Sequence, residues 1–340
     1  GDIDGDGDQD LIKGNTTGQA NRVWLNDGSG SFRDSEQVLG GNNTTSLALG
    51  DVDGNGTLDL VAGNTGQANR VYLNDGSGTF SDSGQTLGNA KTYAVSLADV
   101  DSNGSLDLIS GNYAQPNRVW LNDGNGNFSD SGQTLGKNRT RAIALVDVDN
   151  NGSVDLLTGN YGQPNRIWLN DGIGGFSDSG QTLGKNKTRA IALADVDGNG
   201  TPDLVTGNYG QPNRVWLNDG GSTFTESGQA LAKYRTTSVA LGDANGDGHP
   251  DLIEGDYNQV NRIWHNDGAG VFSAAGQTET ADNTQAIVVG HLNNDSFLDM
   301  VEGNAKEPTL VILGNETNDY AGVPAIGKYS TMDVALADLN

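Results

Sequence analysis

Apolar and polar positions alternate along this chain in short runs, and turn residues separate the runs. Residues 94–141 show the pattern. The runs AVSLADV, LISGN, RVWLN and FSDSGQTLG predict four short β-strands, because they alternate and carry β-branched or aromatic residues. Between them lie an acidic loop, DSNGSLD, and two turns, YAQPN and DGNGN, which are rich in turn-forming residues. No stretch has helical periodicity of useful length, so the predicted unit is four antiparallel strands.

This unit repeats along the whole chain. The acidic loop that opens at Asp51 recurs every 48 residues, and an earlier copy opens at Asp2, 49 residues before Asp51. The later copies open at Asp99, Asp147, Asp195, Asp243 and His291. Seven repeats of four antiparallel strands predict an all-β fold, a seven-bladed β-propeller.

The two ends of the chain favour a closed ring over a linear solenoid. The first repeat lacks the strand that precedes its acidic loop. The last ten residues, TMDVALADLN (331–340), match TTSLALGDVD (44–53), which is such a strand. We therefore expect the C-terminal strand to complete the first blade and to close residues 1–340 into a single domain, which also removes exposed sheet edges.

Composition excludes several classes of function. The net charge is −25 and the pI is about 4.1, so nucleic acid is not an expected partner, since phosphate needs a positive surface. The chain has no cysteine, which excludes disulfides, thiolate catalysis and a cysteine-based zinc site. No run of 18 apolar residues exists, so no membrane insertion is predicted.

The acidic loops have the spacing of a calcium site. In DVDGNGTLDL, Asp51, Asp53 and Asn55 offer oxygen ligands at positions 1, 3 and 5, and Gly56 permits the sharp turn. Calcium takes six to eight oxygen ligands, whereas magnesium prefers few protein ligands. The closing glutamate of an EF-hand is absent, and we expect Asp59 at position 9 to replace it.

Six loops keep this pattern and are the predicted calcium sites. Their ligand residues are Asp2, Asp4, Asp6 and Asp10; Asp51, Asp53, Asn55 and Asp59; Asp99, Asp101, Asn103 and Asp107; Asp147, Asp149, Asn151 and Asp155; Asp195, Asp197, Asn199 and Asp203; and Asp243, Asn245, Asp247 and Asp251. In the first loop Asp338 competes with Asp2 for position 1. The seventh loop, with His291, Asn293 and Ser296, is predicted to bind weakly or to stay empty. For any single loop, an Asp/Gly turn without metal is the alternative.

The loops of the form D-x-[DN]-x-[DN]-G-x-x-D-L, together with strands such as NRVWLNDGSGSF, resemble the FG-GAP (VCBS-type) repeats. These repeats occur in the propellers of integrin α-subunits and in large bacterial surface proteins. The resemblance covers the whole chain and implies a propeller with calcium in the loop between the first and second strands of each blade. It does not imply one activity, because the family includes adhesion proteins, lectins and some polysaccharide lyases.

Of the 19 lysines and arginines, 16 are predicted on the face opposite the acidic loops, which would make that rim basic. Six lie in the turns between second and third strands: Arg22, Arg70, Arg118, Arg166, Arg214 and Arg262. Ten lie in the crossovers between repeats: Lys91, Lys137, Arg139, Arg141, Lys185, Lys187, Arg189, Lys233, Arg235 and Lys328. Such a field attracts anionic or polar partners.

The same rim repeats the pattern Tyr-x-Gln-x-Asn-Arg, whose aromatic and polar groups suit sugars. The candidate ligand-binding residues are Tyr113, Gln115, Arg139, Arg141, Tyr161, Gln163, Lys187, Arg189, Tyr209, Gln211, Arg235 and Tyr257. The alternative for the repeated residues is structural, because repeats in a propeller also lock one blade to the next. Five tryptophans lie in the middle of strands and are predicted in the core between blades: Trp24, Trp120, Trp168, Trp216 and Trp264.

These features favour a calcium-stabilised extracellular binding or adhesion module that recognises a glycan or a partner protein through its basic rim. The alternative is a structural subunit that self-associates into a filament or surface assembly by head-to-tail or donor-strand contacts. A polysaccharide lyase is less favoured, and no enzyme is expected, because His249, His265 and His291 all lie on or near the acidic-loop face. An extracellular or cell-surface location is expected, since calcium there is millimolar.

Overall fold

The computed structural model describes residues 1–278, 282–315, 325–327 and 330–336. In this part of the chain all regular secondary structure is β, in 27 strands. Among these residues there is no helix long and apolar enough to cross a membrane.

Five antiparallel sheets have four strands each. They contain β1 (Leu11–Asn15), β2 (Arg22–Asn26), β3 (Phe32–Asp34) and β27 (Thr331–Ala335); β4 (Thr44–Gly50), β5 (Asp59–Asn64), β6 (Arg70–Asn74) and β7 (Phe80–Asp82); β8 (Thr92–Ala98), β9 (Asp107–Asn112), β10 (Arg118–Asn122) and β11 (Phe128–Asp130); β12 (Thr140–Val146), β13 (Asp155–Asn160), β14 (Asn165–Asn170) and β15 (Phe176–Leu183); and β23 (Thr284–Gly290), β24 (Asp299–Asn304), β25 (Thr309–Ile312) and β26 (Ala325–Ile326).

The fifth and sixth repeats share one seven-stranded sheet. It contains β16 (Thr188–Ala194), β17 (Asp203–Asn218), β18 (Phe224–Glu226), β19 (Leu231–Gly242), β20 (Asp251–Asp256), β21 (Arg262–Asn266) and β22 (Phe272–Gln277). Here β17 runs through the expected turn at 209–213, because the crossover before the sixth repeat is extended and pairs Tyr234 with Gln211. In the third and fourth repeats, the equivalent turn and crossover form only isolated antiparallel β-bridges, and no continuous strand pairing.

The first strand of every repeat lies innermost, around one cavity of about 220 Å³ that residues from all seven inner strands line. Consecutive inner strands contact one another in the order β4, β8, β12, β16, β19, β23, β27 and again β4. The predicted β-propeller is therefore confirmed. As expected, the C-terminal strand joins the first blade: β27 pairs antiparallel with β1, with Val334 opposite Lys13. Asp338 and Lys328 lie outside the described residues.

Hydrophobic residues pack between the sheets. One cluster joins Ile109 of the third repeat to Trp168 of the fourth, and Trp168 is 8% exposed. Gly136, in the crossover before the fourth repeat, has a φ of 64°, and an added Cβ there would lie 3.1 Å from Cζ2 of Trp168. The chain therefore needs glycine at this crossover for two reasons, the backbone angle and the close approach of the indole. Trp168 and Trp216 are thus buried in such clusters, whereas Trp24, Trp120 and Trp264 are half-buried and pack against them.

A repeated glutamine outside the predicted site joins neighbouring blades at their outer edges. The side chain of Gln85 accepts a hydrogen bond from Phe128 N at 2.9 Å and donates to Gly126 O at 2.6 Å, both in the next repeat. Gln37, Gln133, Gln181 and Gln229 make the same contact with the backbone of the phenylalanine that follows them.

Side chains of the inner strands make a second set of contacts between blades. Ser46 Oγ accepts from Val95 N at 3.1 Å, and Ser238 Oγ accepts from Ile287 N at 2.9 Å. In the closing strand, Asp333 occupies the equivalent position, and its Oδ2 accepts from Leu47 N at 2.7 Å. Burial raises the pKa of Asp333 to about 7.

Replacing Asp333 by the serine that other repeats use should remove a pH-dependent part of the stability. Because its pKa is raised on folding, Asp333 contributes stability below pH 4 that is lost as the pH rises to about 7. A shift of this size corresponds to at most roughly 4 kcal/mol. We expect the free energy of unfolding of Asp333→Ser, relative to that of wild type, to increase by about 2–4 kcal/mol as the pH rises from about 4.5 to about 8. Urea unfolding at each pH measures this difference. Ser238→Ala is the matched control, with no such trend. A difference that stays constant with pH would contradict the prediction.

Candidate metal loops and the channel face

Five of the acidic loops bring three carboxylates within 4.8 Å of one another. The clusters are Asp2, Asp4 and Asp6; Asp51, Asp53 and Asp59; Asp99, Asp101 and Asp107; Asp147, Asp149 and Asp155; and Asp195, Asp197 and Asp203. The sequence-predicted residues at positions 1, 3 and 9 therefore meet in four loops, and positions 1, 3 and 5 meet in the first.

The residue at position 1 shapes each loop. Asp51 Oδ1 accepts from Gly54 N at 2.8 Å and from Asn55 N at 3.1 Å, while its Oδ2 accepts from Gly56 N at 2.9 Å. This tight turn requires a φ of 85° at Gly56, which a side chain disfavours. The asparagine at position 5 is also held, because Asn55 Oδ1 accepts from Thr57 N at 2.8 Å.

The residue at position 9 is fully buried and ties the loop to the blade. Asp59 Oδ2 accepts from Val52 N at 2.9 Å and its Oδ1 accepts from Asn74 N at 2.8 Å, so both oxygens already have a backbone donor. Burial outweighs these hydrogen bonds and raises the pKa of Asp59, and likewise of Asp10, to about 6. Each carboxylate oxygen keeps a second lone pair for a cation.

The sixth loop differs from the five clusters. Among the described residues, Asp243, Asp247 and Asp251 do not form a three-carboxylate cluster, because position 3 is the amide of Asn245, which donates to Asp247 Oδ2 at 2.9 Å. The seventh loop also lacks a three-carboxylate cluster within the described residues, and its weak or absent metal binding stays a prediction. There the ring Nδ1 of His291 lies 2.9 Å from Phe297 O.

The donors in the five clusters suit a hard divalent cation. All are oxygens, and crowded carboxylates repel one another unless a cation neutralises them. In the first loop, the buried Asp4 Oδ1 has no hydrogen-bond partner. The clusters could therefore hold metal ions.

On the opposite face, the six turn arginines are not free cations. Five form ion pairs with the fourth strand of their own blade: Arg22 with Asp34 (2.7 Å), Arg70 with Asp82, Arg118 with Asp130 (3.7 Å), Arg166 with Asp178 (3.6 Å) and Arg214 with Glu226 (3.0 Å). Arg262 pairs instead with Asp256, at 3.0 Å, because Ala274 occupies the equivalent fourth-strand position. The expected basic rim is thus partly neutralised.

Three of the candidate ligand residues also make a structural contact. Gln115, Gln163 and Gln211 accept from the backbone N of Lys91, Arg139 and Lys187 at 2.7, 2.7 and 2.6 Å. Each glutamine therefore joins the turn to the crossover that leads into its own repeat, and its predicted ligand role stays a prediction. Around them, Arg139, Lys187 and Arg235 are exposed cations of the rim.

Four of the other candidates, Arg141, Arg189, Tyr209 and Tyr257, lie together at the mouth of the central channel, beside Tyr93, which was not a predicted ligand residue. A second cavity, of about 460 Å³, is lined there by Tyr93, Arg141, Arg189, Tyr209 and Tyr257, with threonine, asparagine, glutamine and methionine side chains. The guanidinium of Arg141 lies 4.0 Å from the ring centroid of Tyr93 and 5.7 Å from that of Tyr161. Tyr113 borders the same group, 5.1 Å from Arg141.

Sequence comparison now decides the family. The FG-GAP-like repeat matches residues 2–62, 51–110, 99–158, 147–206 and 195–254, which together cover most of the chain. The chain belongs to the FG-GAP-like repeat family. Among curated proteins, none matches this FG-GAP-like repeat protein in sequence.

Several solved structures share the fold. The periplasmic gluconolactonase of Pseudomonas aeruginosa superimposes with a TM-score of 0.72 at 14% identity, over 98% of this chain and 99% of that one. A protein from Lactobacillus plantarum gives a TM-score of 0.71 at 12% identity, over 97% and 100%. A functionally unknown protein from Desulfotomaculum acetoxidans gives 0.70 at 11% identity, over 96% and 98%. At these identities the likeness of this FG-GAP-like repeat protein to the three extends to the fold alone.

Proposed function

We propose that this protein is a calcium-stabilised extracellular binding module without catalytic activity, whose channel face recognises a glycan or a partner protein. The observation that carries the proposal is the separation of two chemistries. The carboxylate clusters lie in the loops that follow the inner strands, whereas the arginine- and tyrosine-lined cavity opens at the other end of those strands. The metal loops then stabilise the blades, and the channel mouth is left for a ligand.

Calcium is the proposed metal because five loops of an FG-GAP-like repeat chain offer only oxygen donors, partly from buried carboxylates. When bound, calcium supplies positive charge that neutralises these carboxylates. Asp51 and its equivalents hold the turn, and Asp59 and its equivalents anchor the loop to the third strand. Sites of this kind fill where calcium is millimolar, which supports the extracellular location.

A single loop substitution should remove one calcium site. Asp149→Asn takes one of three carboxylates from the fourth loop, so we expect the calcium stoichiometry to fall by one while the protein stays folded. Equilibrium dialysis with radioactive calcium measures this directly. Asp171→Asn is the matched control, because Asp171 only accepts backbone hydrogen bonds in a hairpin turn. Loss of a site in the control, or none in Asp149→Asn, would contradict the assignment.

The binding role is tested on arrays of glycans and of extracellular proteins, probed with labelled protein in calcium and in excess EGTA. We expect a defined set of ligands to be retained in calcium, with weaker binding after chelation because the blades loosen. Absence of binding to all neutral, uronic and sulfated glycans and to all the proteins would overturn the proposal.

Self-association is the competing function. Here the structure pairs β27 with β1 of the same chain, so a donor-strand assembly would first have to open that pairing. We propose a monomer in calcium at low salt. Light scattering that reports filaments or large oligomers there would favour the structural alternative.

A further inference from the structure

The channel mouth is built from one residue position that differs between repeats. In every inner strand, the residue that follows a repeated threonine faces the cavity. Its identity changes around the ring: Thr45, Tyr93, Arg141, Arg189, Thr237, Gln285 and Met332. Residues that serve only the blade, such as the repeated Gln85 and its equivalents, keep their identity. The variable position therefore gives the mouth a chemistry of its own, with two adjacent arginines.

These two arginines lack a counter-ion. Within the described residues neither Arg141 nor Arg189 forms an ion pair, and the Nε atom of each is buried without a hydrogen-bond partner. Burial and the neighbouring charge of Arg141 lower the pKa of Arg189. Two partly buried like charges without an acceptor destabilise the free protein, and an anion bound between them would relieve this.

Within the described part of the chain, the channel mouth has no carboxylate that balances the two arginines. Asp333 is the one carboxylate among the described residues that line either cavity. Its Oδ2 already accepts from Leu47 N, and burial raises its pKa, so it does not balance two guanidinium groups.

Tyrosines hold the arginines in place. Arg141 lies over Tyr93 at 4.0 Å, and Arg189 lies over Tyr209 at 4.1 Å, so each guanidinium face is covered by a ring. The edges of the guanidinium groups carry the N–H donors and suit bidentate contact with a carboxylate or a sulfate.

The rest of the mouth fits a sugar better than an apolar side chain. Thr16, Thr65, Asn43 and Gln285 contribute hydroxyl and amide groups, and Met332 is the one aliphatic side chain of the lining. Hydroxyl and amide groups can exchange hydrogen bonds with sugar hydroxyls, and tyrosine rings offer faces to sugar C–H groups. The volume of about 460 Å³ lies in the range of small-molecule sites.

Resting on the proposed binding function, we infer that the channel mouth binds an acidic saccharide, in which Arg141 and Arg189 together hold the carboxylate or sulfate group. The site is thus the central channel and not the exposed lysines of the rim. Arg141 and Arg189 provide the anion contact, and the tyrosines fix the arginines.

Isothermal titration in calcium tests this with three probes: tri-galacturonate, a sulfated carrageenan oligosaccharide and neutral maltotriose. We expect at least one acidic probe to bind roughly 30-fold more tightly than maltotriose, because charge-assisted hydrogen bonds are strong. Comparing tri-galacturonate with the carrageenan oligosaccharide shows whether the site prefers a carboxylate or a sulfate. In Arg141→Gln/Arg189→Gln the acidic probe should lose roughly 30-fold in affinity.

Lys137→Gln/Lys185→Gln is the matched control, because it removes the same charge from exposed crossover positions on the same face. It should change the affinity by less than about 3-fold, since exposed charges contribute little. Arg141→Lys/Arg189→Lys keeps the charge without the bidentate geometry, so it should bind with intermediate affinity. This variant keeps the test decisive if the glutamine variant does not fold.

The outcomes separate this inference from the proposed function. Equal binding of acidic and neutral probes, or full binding by both arginine variants, overturns the inference and leaves a binding module with another site. Loss of affinity in the lysine control and not in the arginine variants places the site on the rim and also overturns it. If no probe binds in the titrations and no glycan or protein on the arrays is retained, both this inference and the proposed function are overturned.

Discussion

Removing calcium should lower the free energy of unfolding by about 7 kcal/mol relative to about 1 mM calcium, which is one of the two largest effects we expect. Extracellular calcium modules bind with a Kd of about 10⁻⁴ M, so each filled site contributes about 1.4 kcal/mol at this concentration. Five loops carry a three-carboxylate cluster and add independently, since they lie in different blades. Without the ion, the carboxylates of each cluster repel one another.

Thermal unfolding after dialysis against excess EGTA measures this, and the midpoint should fall by at least about 10 °C. Re-addition of calcium should restore it, whereas magnesium at the same concentration should restore less, because magnesium needs a near-ideal octahedral site. An unchanged midpoint in a sample shown to be free of metal would contradict the role of the loops.

Deleting the closing strand should have an effect of comparable size. A chain that ends at residue 329 lacks β27, which pairs with β1 and also contacts β23 and β4. Val334 is 3% exposed and packs with Leu11 and Val301. Without β27, the first blade loses its inner strand and two neighbouring blades expose apolar surface. This loss is comparable with the whole stability of a domain, about 5–15 kcal/mol, so we expect the truncated chain to be protease-sensitive and prone to aggregate.

A synthetic peptide of residues 330–340 should bind the truncated chain and restore protease resistance, because the remaining residues present the edge of β1. The same peptide with Val334→Asp is the control and should not rescue, since it would bury a charge at a core position. A truncated chain with wild-type resistance to protease would show that β27 does not close the ring.

The repeat made the fold predictable from sequence. A 48-residue period with four strand patterns, and a last strand that matches the missing first one, is consistent with little except a closed propeller. The acidic loops were equally readable, because Asp51, Asp53 and Asp59 come from one short segment and so must lie near one another. Local spacing determines such sites.

Contacts between distant segments were not predictable in the same way. Arg118 and its equivalents appeared as free cations, since a repeat pattern does not show that a carboxylate twelve residues later faces them. The structural contact of Gln115 was not visible in the sequence, because its hydrogen bond to Lys91 N depends on how the crossover folds back. Both kinds of position meet at the channel mouth: Tyr209 and Tyr257 repeat, whereas the position of Arg141 varies between repeats.

The most direct measurement is the affinity of the better acidic probe, at saturating calcium, for wild type, Asp149→Asn and Arg141→Gln/Arg189→Gln. If the metal loops stabilise and the channel mouth binds, losing one loop should change the affinity by less than about 3-fold, because a single vacated site leaves the ring closed. The arginine variant should then lose roughly 30-fold. Binding that collapses in Asp149→Asn but survives in the arginine variant would contradict this division between the two faces.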